Sequence, residues 1–254
     1  MPFTFAHPAA VLPLRRFLWF PGLVAGSVVP DVAYYLPVPG GADATHSVVG
    51  VVGVDLVLGV VLLLVGRAVV APLLALSSHG WRARVPPSRL VARFTTWRAR
   101  VVALVSLAVG AATHLAWDSV THTDGVAVRQ WPVLRLSVVG PHRLYNVIGY
   151  ASSLGGLLLL GAFVLRWYRR APRVHGEHWP TLPPGTRPWV LGGIAVAVVA
   201  GAAIALADPV SRVSAYDWVR QALVGGVRGA GLAFAVYVLG RHLTHRLGAR
   251  SRRG

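Results

Sequence analysis

Long apolar stretches, separated by short arginine-rich segments, dominate the pattern along this chain. Each is close to the roughly 20 residues that an α-helix needs to cross a bilayer. The clear stretches are Val48–Val65, Val101–Trp117, Val147–Leu165, Trp189–Ala207 and Ala222–Gly240. A weaker one, Phe17–Leu36, is interrupted by proline and glycine, and the Val48–Val65 stretch can extend to Leu76. The pattern predicts an all-α fold, a polytopic transmembrane helical bundle of about six spans.

Composition supports a membrane protein and limits its chemistry. Of the 254 residues, 55% are hydrophobic and only 13% are charged, whereas soluble domains carry about 25% charged residues. The chain has no cysteine, which excludes disulfides and thiolate metal ligands. A metal site in this protein would have to be built from histidine, aspartate or glutamate.

The net charge of +17 comes entirely from arginine on the basic side. In a soluble protein such a charge would indicate nucleic-acid binding. Here the arginines cluster between apolar stretches, as cytoplasmic loops do under the positive-inside rule. We therefore expect both termini in the cytoplasm, no nucleic-acid partner, and arginine-rich loops in contact with anionic lipid headgroups.

A segment rich in proline, arginine and histidine suggests where the chain divides. We predict a four-span part, residues 1–170, which carries a cluster of histidine and aspartate residues. A cytoplasmic linker at 171–188 then leads to a two-span C-terminal part at 189–240 and a basic cytoplasmic tail at 241–254.

Histidine and aspartate gather at the predicted outer ends of the spans. His114, Asp118 and His122 are spaced four residues apart, which places them on one face of a helix. This arrangement suits a divalent metal, although a hydrogen-bonded network at the helix end is equally compatible with it. Asp31 and His46 reach the same side of the membrane in the predicted topology. His7 reaches that side only if the first apolar stretch is broken.

Several sequence motifs occur in the same order as in a known protein family. They are the opening Met1–Ala10, then Gly26–Asp31, Thr45–Ser47, His114–His122 and Tyr145–Gly156. In these motifs the chain resembles a bacterial integral-membrane family known as domain of unknown function 4184. That family is distantly similar to inner-membrane metal-dependent hydrolases and to the zinc-dependent phospholipase C superfamily.

The resemblance implies a location, a metal and a set of ligands. It implies the cytoplasmic membrane of a bacterium and a site for a divalent cation, zinc above all. The superfamily also has a His-x-x-x-Glu pair, and the nearest match here is His142-x-x-x-Asn146, in which asparagine replaces the carboxylate. The implied metal ligands are His7, Asp31, His46, His114, Asp118 and His142.

Three classes of function follow from these features. The first is a metal-dependent hydrolase acting on a lipid, an isoprenoid-linked phosphate or another phosphoester at the extracytoplasmic face. In it, His122 or Asp124 is the catalytic base or a further ligand. The second is a transporter or ion-handling protein that uses the same cluster. The third is a non-enzymatic membrane protein in which the His/Asp network is structural.

Overall fold

The computed structural model describes residues 3–85, 96–174, 179 and 181–251 of the chain. Residues 175–178 and 180 of the predicted linker, and 252–254 of the predicted tail, lie outside the described residues. The longer helices are α1 (Phe20–Val28), α2 (Val54–Leu76), α3 (Trp97–Thr121), α4 (Leu144–Arg170), α5 (Thr186–Leu206) and α6 (Ala215–Ser251).

Short elements connect these helices. Short α-helices cover Val32–Tyr35, Gly41–Thr45, Val48–Val52, His79–Arg82 and Val126–Gln130. Segments of 3₁₀-helix cover Thr4–Ala9, Leu12–Arg16, Val29–Asp31, Pro132–Arg135 and Pro209–Arg212. Strands β1 (Ser137–Val139) and β2 (His142–Arg143) form a small antiparallel hairpin that the apolar pattern did not indicate.

The membrane helical bundle is confirmed. Within the described part of the chain, α2 to α6 are the five helices long and apolar enough to cross a bilayer. Large apolar side chains stay exposed on them; Leu158 on α4 is 65% exposed and Leu232 on α6 is 70% exposed. Soluble domains rarely expose apolar side chains so continuously, whereas lipid-facing helices do.

Within the described residues five helices, against the expected six or so, are long enough to span a bilayer, because Phe17–Leu36 is not one continuous helix. Helix α1 ends at Val28, and Pro30 lies in the following 3₁₀ segment. A proline has no N–H to continue the α-helical ladder, and its ring disfavours the preceding turn. With 9 residues, α1 is about 13 Å long, less than half of the roughly 30 Å hydrocarbon core.

The next apolar stretch is also divided. Gly53 separates the short helix Val48–Val52 from α2, which continues past Gly66 to Leu76 as the sequence allowed.

Contacts between residues divide the chain into two compact units. The first comprises Met1–Gly66 and Ser88–Pro172, and the second comprises Arg67–Pro87 and Arg173–Gly254. The segment 67–87, which the sequence-based boundaries assigned to the four-span part, therefore groups with the C-terminal residues.

The first unit is built around the crossing of α1 and α3. Leu23 of α1 and Leu107 of α3 are completely or almost completely buried there. The Trp19 backbone N–H donates to the Ser106 hydroxyl at 3.0 Å, which fixes the entry into α1. The N-terminal segment packs on α4, where the Phe3 N–H donates to the Ser153 hydroxyl at 2.9 Å.

The second unit contains a hairpin of α5 and α6. Gly201 faces Gly225, and Ala197 faces Gly229, so positions that rise along α5 meet positions that fall along α6 and the helices are antiparallel. The end of α2 belongs to this unit, and its Pro72 carbonyl accepts a hydrogen bond from the Tyr237 hydroxyl at 3.0 Å.

Candidate metal centre

Four ionisable side chains from three separate segments meet in the first unit. Asp31 ends the 3₁₀ segment after α1, His46 follows the helix Gly41–Thr45, and His114 and Asp118 lie one turn apart on α3. One potential ligand atom from each of these residues lies within 4.8 Å of all the others. Asp31 and His114 are 0% and 1% exposed, so the group lies inside the protein.

The spacing of these atoms is longer than that of normal hydrogen bonds and is compatible with a bound metal ion. His46 Nε2 lies 3.4 Å from Asp31 Oδ1 and 3.7 Å from Asp118 Oδ2. His114 Nε2 lies 3.5 Å from each of the same two oxygens. Hydrogen bonds between nitrogen and oxygen span roughly 2.7–3.2 Å. A tetrahedral zinc ion, with each ligand atom about 2.0–2.1 Å away, keeps those atoms about 3.4 Å apart.

Backbone carbonyls orient both imidazole rings. His114 Nδ1 lies 2.8 Å from the Ser27 carbonyl, and His46 Nδ1 lies 3.1 Å from the Ala42 carbonyl. A carbonyl only accepts, so Nδ1 donates in each ring and the lone pair of a neutral imidazole is on Nε2. In both residues Nε2 is the nitrogen that faces the carboxylates. Metal-binding histidines are commonly oriented in this way.

Two glycines bring α1 close enough to α3 for the Ser27 carbonyl to reach His114. A Cβ atom on Gly26 would stand 2.1 Å from the Leu107 carbonyl oxygen. One on Gly110 would stand 2.3 Å from the Leu23 carbonyl oxygen. No side chain fits at either position, so the site depends on glycine at both.

Thr45 connects the Asp31 segment to the His46 segment. Its hydroxyl donates to the Pro30 carbonyl at 2.7 Å, and the residue is fully buried. The same hydroxyl lies 3.2 Å from His46 Nδ1. Thr45 thus positions one aspartate and one histidine of the cluster.

His7 lies against the cluster from a fourth segment. Its ring stacks on that of His114 with centroids 3.8 Å apart, and its Nε2 lies 3.6 Å from Asp118 Oδ1. Burial lowers the pKa of His7 from 6.5 to about 4, so this ring is neutral at pH 7. The first apolar stretch is broken in the structure, and this was the condition under which the sequence placed His7 on the side of the cluster.

Buried polar atoms without hydrogen bonds concentrate here. Within the described part of the chain, such side-chain atoms belong only to Asp55, to His7 and to the four cluster residues Asp31, His46, His114 and Asp118. An unsatisfied buried polar group costs roughly 1–3 kcal/mol, and more when it is charged. A bound cation would satisfy one of these atoms from each of the four cluster residues, so the residues present fit a divalent metal.

The other predicted site residues lie outside the four-residue group. His122 caps the end of α3 and is partly buried, and its Nδ1 accepts a long hydrogen bond from the Asp124 N–H at 3.4 Å. Asp124 is exposed. His142 is exposed on β2, with Nδ1 3.4 Å from the Tyr150 hydroxyl. The roles predicted for these three residues stay predictions.

Sequence reasoning missed the two groups that orient the histidines. The Ser27 and Ala42 contributions are backbone carbonyls, which no pattern of residue types indicates. Thr45 was visible in the Thr45–Ser47 motif, but its link to the Pro30 carbonyl depends on the fold.

The apolar helices and the buried cluster define a polytopic helical membrane protein with a candidate metal site. The chain belongs to the family described as Domain of unknown function (DUF4184), whose model matches residues 1–239. This confirms the family resemblance seen in the motifs. No curated protein and no solved structure matches the chain. The distant similarity to hydrolases stays a prediction, and function has to be argued from the site.

Proposed function

We propose that this protein is a metal-dependent hydrolase embedded in the bacterial cytoplasmic membrane. It cleaves an ester or phosphoester bond of a lipid, or another phosphoester, at the extracytoplasmic face. The observation that carries the proposal is the set of N···O separations between the two histidines and the two aspartates, 3.4–3.7 Å, which are longer than normal hydrogen bonds and suit a tetrahedral ion. The arginine-rich loops, assigned to the cytoplasm by the positive-inside rule, support the proposed orientation.

The residues of this site have different roles. Asp31, His46, His114 and Asp118 hold the cation, zinc as the first candidate, and the backbone carbonyls of Ser27 and Ala42 keep both Nε2 atoms available. When bound, such an ion supplies Lewis acidity and an activated water. The two carboxylates balance the charge of a divalent cation in a buried setting.

We assign proton transfer to His122 and Asp124, which follow Asp118 along the chain. His122 is partly exposed at the end of α3, one turn beyond Asp118. Asp124 contacts its ring through the backbone. A partly exposed imidazole next to a buried centre is suited to pass a proton between the site and water.

The first test is metal content. Protein purified in mild detergent without chelator is analysed by mass spectrometry, and the parent is compared with a His114→Ala/Asp118→Ala variant. The matched control is His79→Ala/Asp43→Ala, which removes one exposed histidine and one exposed aspartate. We expect stoichiometric zinc or manganese in the parent and the control, and none in the folded cluster variant.

The second test is turnover. Metal-loaded parent protein in detergent is incubated with a panel of phospholipids and chromogenic phosphoesters. Hydrolysis that the cluster variant lacks and the control retains is the expected result. Absence of bound metal in the parent would refute the metal site and the hydrolase together.

A structural role is favoured by one feature, the joining of three chain segments at the cluster. In that case chelation would lower the thermal stability of the protein, and no substrate on the panel would turn over. An ion-handling role would instead show as metal flux into vesicles that contain the parent and not the cluster variant.

A further inference from the structure

A cavity adjoins the cluster on the side of His7. Its volume is about 270 Å³, close to the lower end of the roughly 300–1,000 Å³ of typical ligand sites. Ala6 and Ala9 of the N-terminal segment form one wall, Trp117 of α3 a second, and Gly155, Gly156 and Leu159 of α4 a third. All of these elements belong to the first unit.

The lining suits hydrocarbon. Apart from His7, the polar side chain at the cavity is that of Ser152, whose hydroxyl donates to the Gly149 carbonyl at 3.0 Å. The other walls are alanine, glycine, leucine and the indole of Trp117. Both α3 and α4 are long and apolar enough to cross a bilayer, and Leu159, which lines the cavity, is 52% exposed. In a bilayer, exposed apolar residues on spanning helices face acyl chains, which suits this cavity to an acyl chain.

The polar end of the cavity lies at the proposed metal site. His7 is 3% exposed, and neither of its ring nitrogens makes a hydrogen bond within the described residues. Its Nε2 lies 3.6 Å from Asp118 Oδ1. A molecule with its apolar chain against Trp117 and Leu159 would have its polar group next to His7.

We propose that this cavity binds an acyl chain of a membrane phospholipid and presents the adjoining ester to the His7 side of the cluster. The inference rests on the proposed hydrolase function for the fate of the ester. The binding of the chain itself depends only on the cavity.

Gly155 offers a way to fill the cavity without disturbing the helix. A Cβ atom there would meet no other atom within 4 Å, although the residue lines the cavity. The neighbouring Gly156 differs, because its Cβ would stand 3.0 Å from Ala6. Gly161 is the matched control, since it lies on the same helix, has equally open space around its Cβ and does not line the cavity.

The experiment uses the full chain in phosphatidylglycerol vesicles that contain a photoreactive phosphatidylglycerol with a diazirine on one acyl chain. After irradiation, labelled residues are identified by peptide mass spectrometry. Labelling at Trp117 and Leu159 should fall about tenfold in Gly155→Leu, because a leucine displaces about two methylene groups of the chain. It should be unchanged in Gly161→Leu. Labelling of α5 gives the background from surrounding lipid.

Equal labelling of the cavity residues in the parent, Gly155→Leu and Gly161→Leu would overturn the proposal. Leu159→Phe, which narrows the cavity from an exposed position, repeats the test if Gly155→Leu does not fold. Preferential displacement of the probe by a polyisoprenyl phosphate, relative to unlabelled phosphatidylglycerol, would also overturn it by showing an isoprenoid site.

Metal content, measured on the same samples, separates this inference from the proposed function. Reduced labelling in Gly155→Leu with no metal in any sample would support the acyl-chain site and refute the hydrolase. Bound metal with equal labelling would support the metal site and refute the acyl-chain site.

Discussion

Two helix crossings in this protein use glycine in the same way and differ in what lies beside them. In the first unit, Gly26 and Gly110 let α1 approach α3 until no Cβ atom fits between them. In the second unit, Gly201, Gly225 and Gly229 do the same for α5 and α6. Small residues at helix contacts are common in membrane proteins, where close packing replaces the hydrophobic effect between helices.

The difference lies in the buried polar groups. Beside the α1–α3 crossing are the buried Asp31, His114 and Asp118, whereas α5 has no buried residue at all. Buried ionisable groups are expensive in a membrane protein and usually mark a functional site. Both crossings therefore pack closely, but we assign a function only to the α1–α3 crossing.

The largest effect is expected from breaking the crossing that carries the cluster. In Gly110→Val the new side chain would collide with the Leu23 carbonyl, since even its Cβ would stand 2.3 Å from that oxygen. We expect a loss of about 3 kcal/mol of stability together with the bound metal, measured by thermal unfolding in detergent and by metal analysis. Gly161→Val, where the Cβ meets nothing within 4 Å, should keep both. A folded Gly110→Val protein with full metal content would show that the crossing does not position the cluster.

Breaking the other crossing should destabilise without affecting the site. A Cβ atom on Gly229 would stand 2.0 Å from the Ala197 carbonyl oxygen, whereas one on Gly231 would meet nothing within 4 Å. We expect Gly229→Val to lower the unfolding temperature clearly and Gly231→Val to lower it little. Metal content per folded molecule should match the parent in both variants. If Gly229→Val lost metal to the same extent as Gly110→Val, the separation of packing from function would fail.

A smaller effect should come from a residue that only positions the ligands. Thr45→Val keeps the shape of the side chain but removes the hydrogen bond to the Pro30 carbonyl. Groups that orient metal ligands typically contribute 10- to 100-fold in affinity, and we expect a loss of about tenfold. Competition with a chromophoric zinc chelator measures it. Thr113→Val is the control, since the Thr113 hydroxyl bonds only within α3, to the Gly110 carbonyl at 2.7 Å. Equal zinc affinities of the two variants would show that Thr45 does not position the metal ligands.

The same contrast explains what the sequence could predict. Apolar stretches predict spans because a bilayer imposes a length on every helix that crosses it, and the described residues include five such helices. The pairing of His114 with Asp118 follows from helical spacing alone. The approach of Asp31 and His46 depends on how Pro30 ends one segment and on the link through Thr45, which are long-range features. The position of His7 could not be decided, because it depends on a break whose direction local propensity does not determine.

The smallest effect is expected at His142, which the sequence analysis grouped with His46 as a metal ligand. The resemblance to zinc enzymes suggested His142 as a ligand, but its ring is exposed beside Tyr150. His46, in contrast, has its Nε2 3.4 Å from a buried carboxylate oxygen. We therefore expect His142→Gln to keep stoichiometric metal and the parent's stability, while His46→Gln loses metal. Metal analysis of both proteins at equal concentration tests this. Loss of metal from His142→Gln would mean that β2 moves towards the cluster when the ion binds, and would restore His142 to the ligand set.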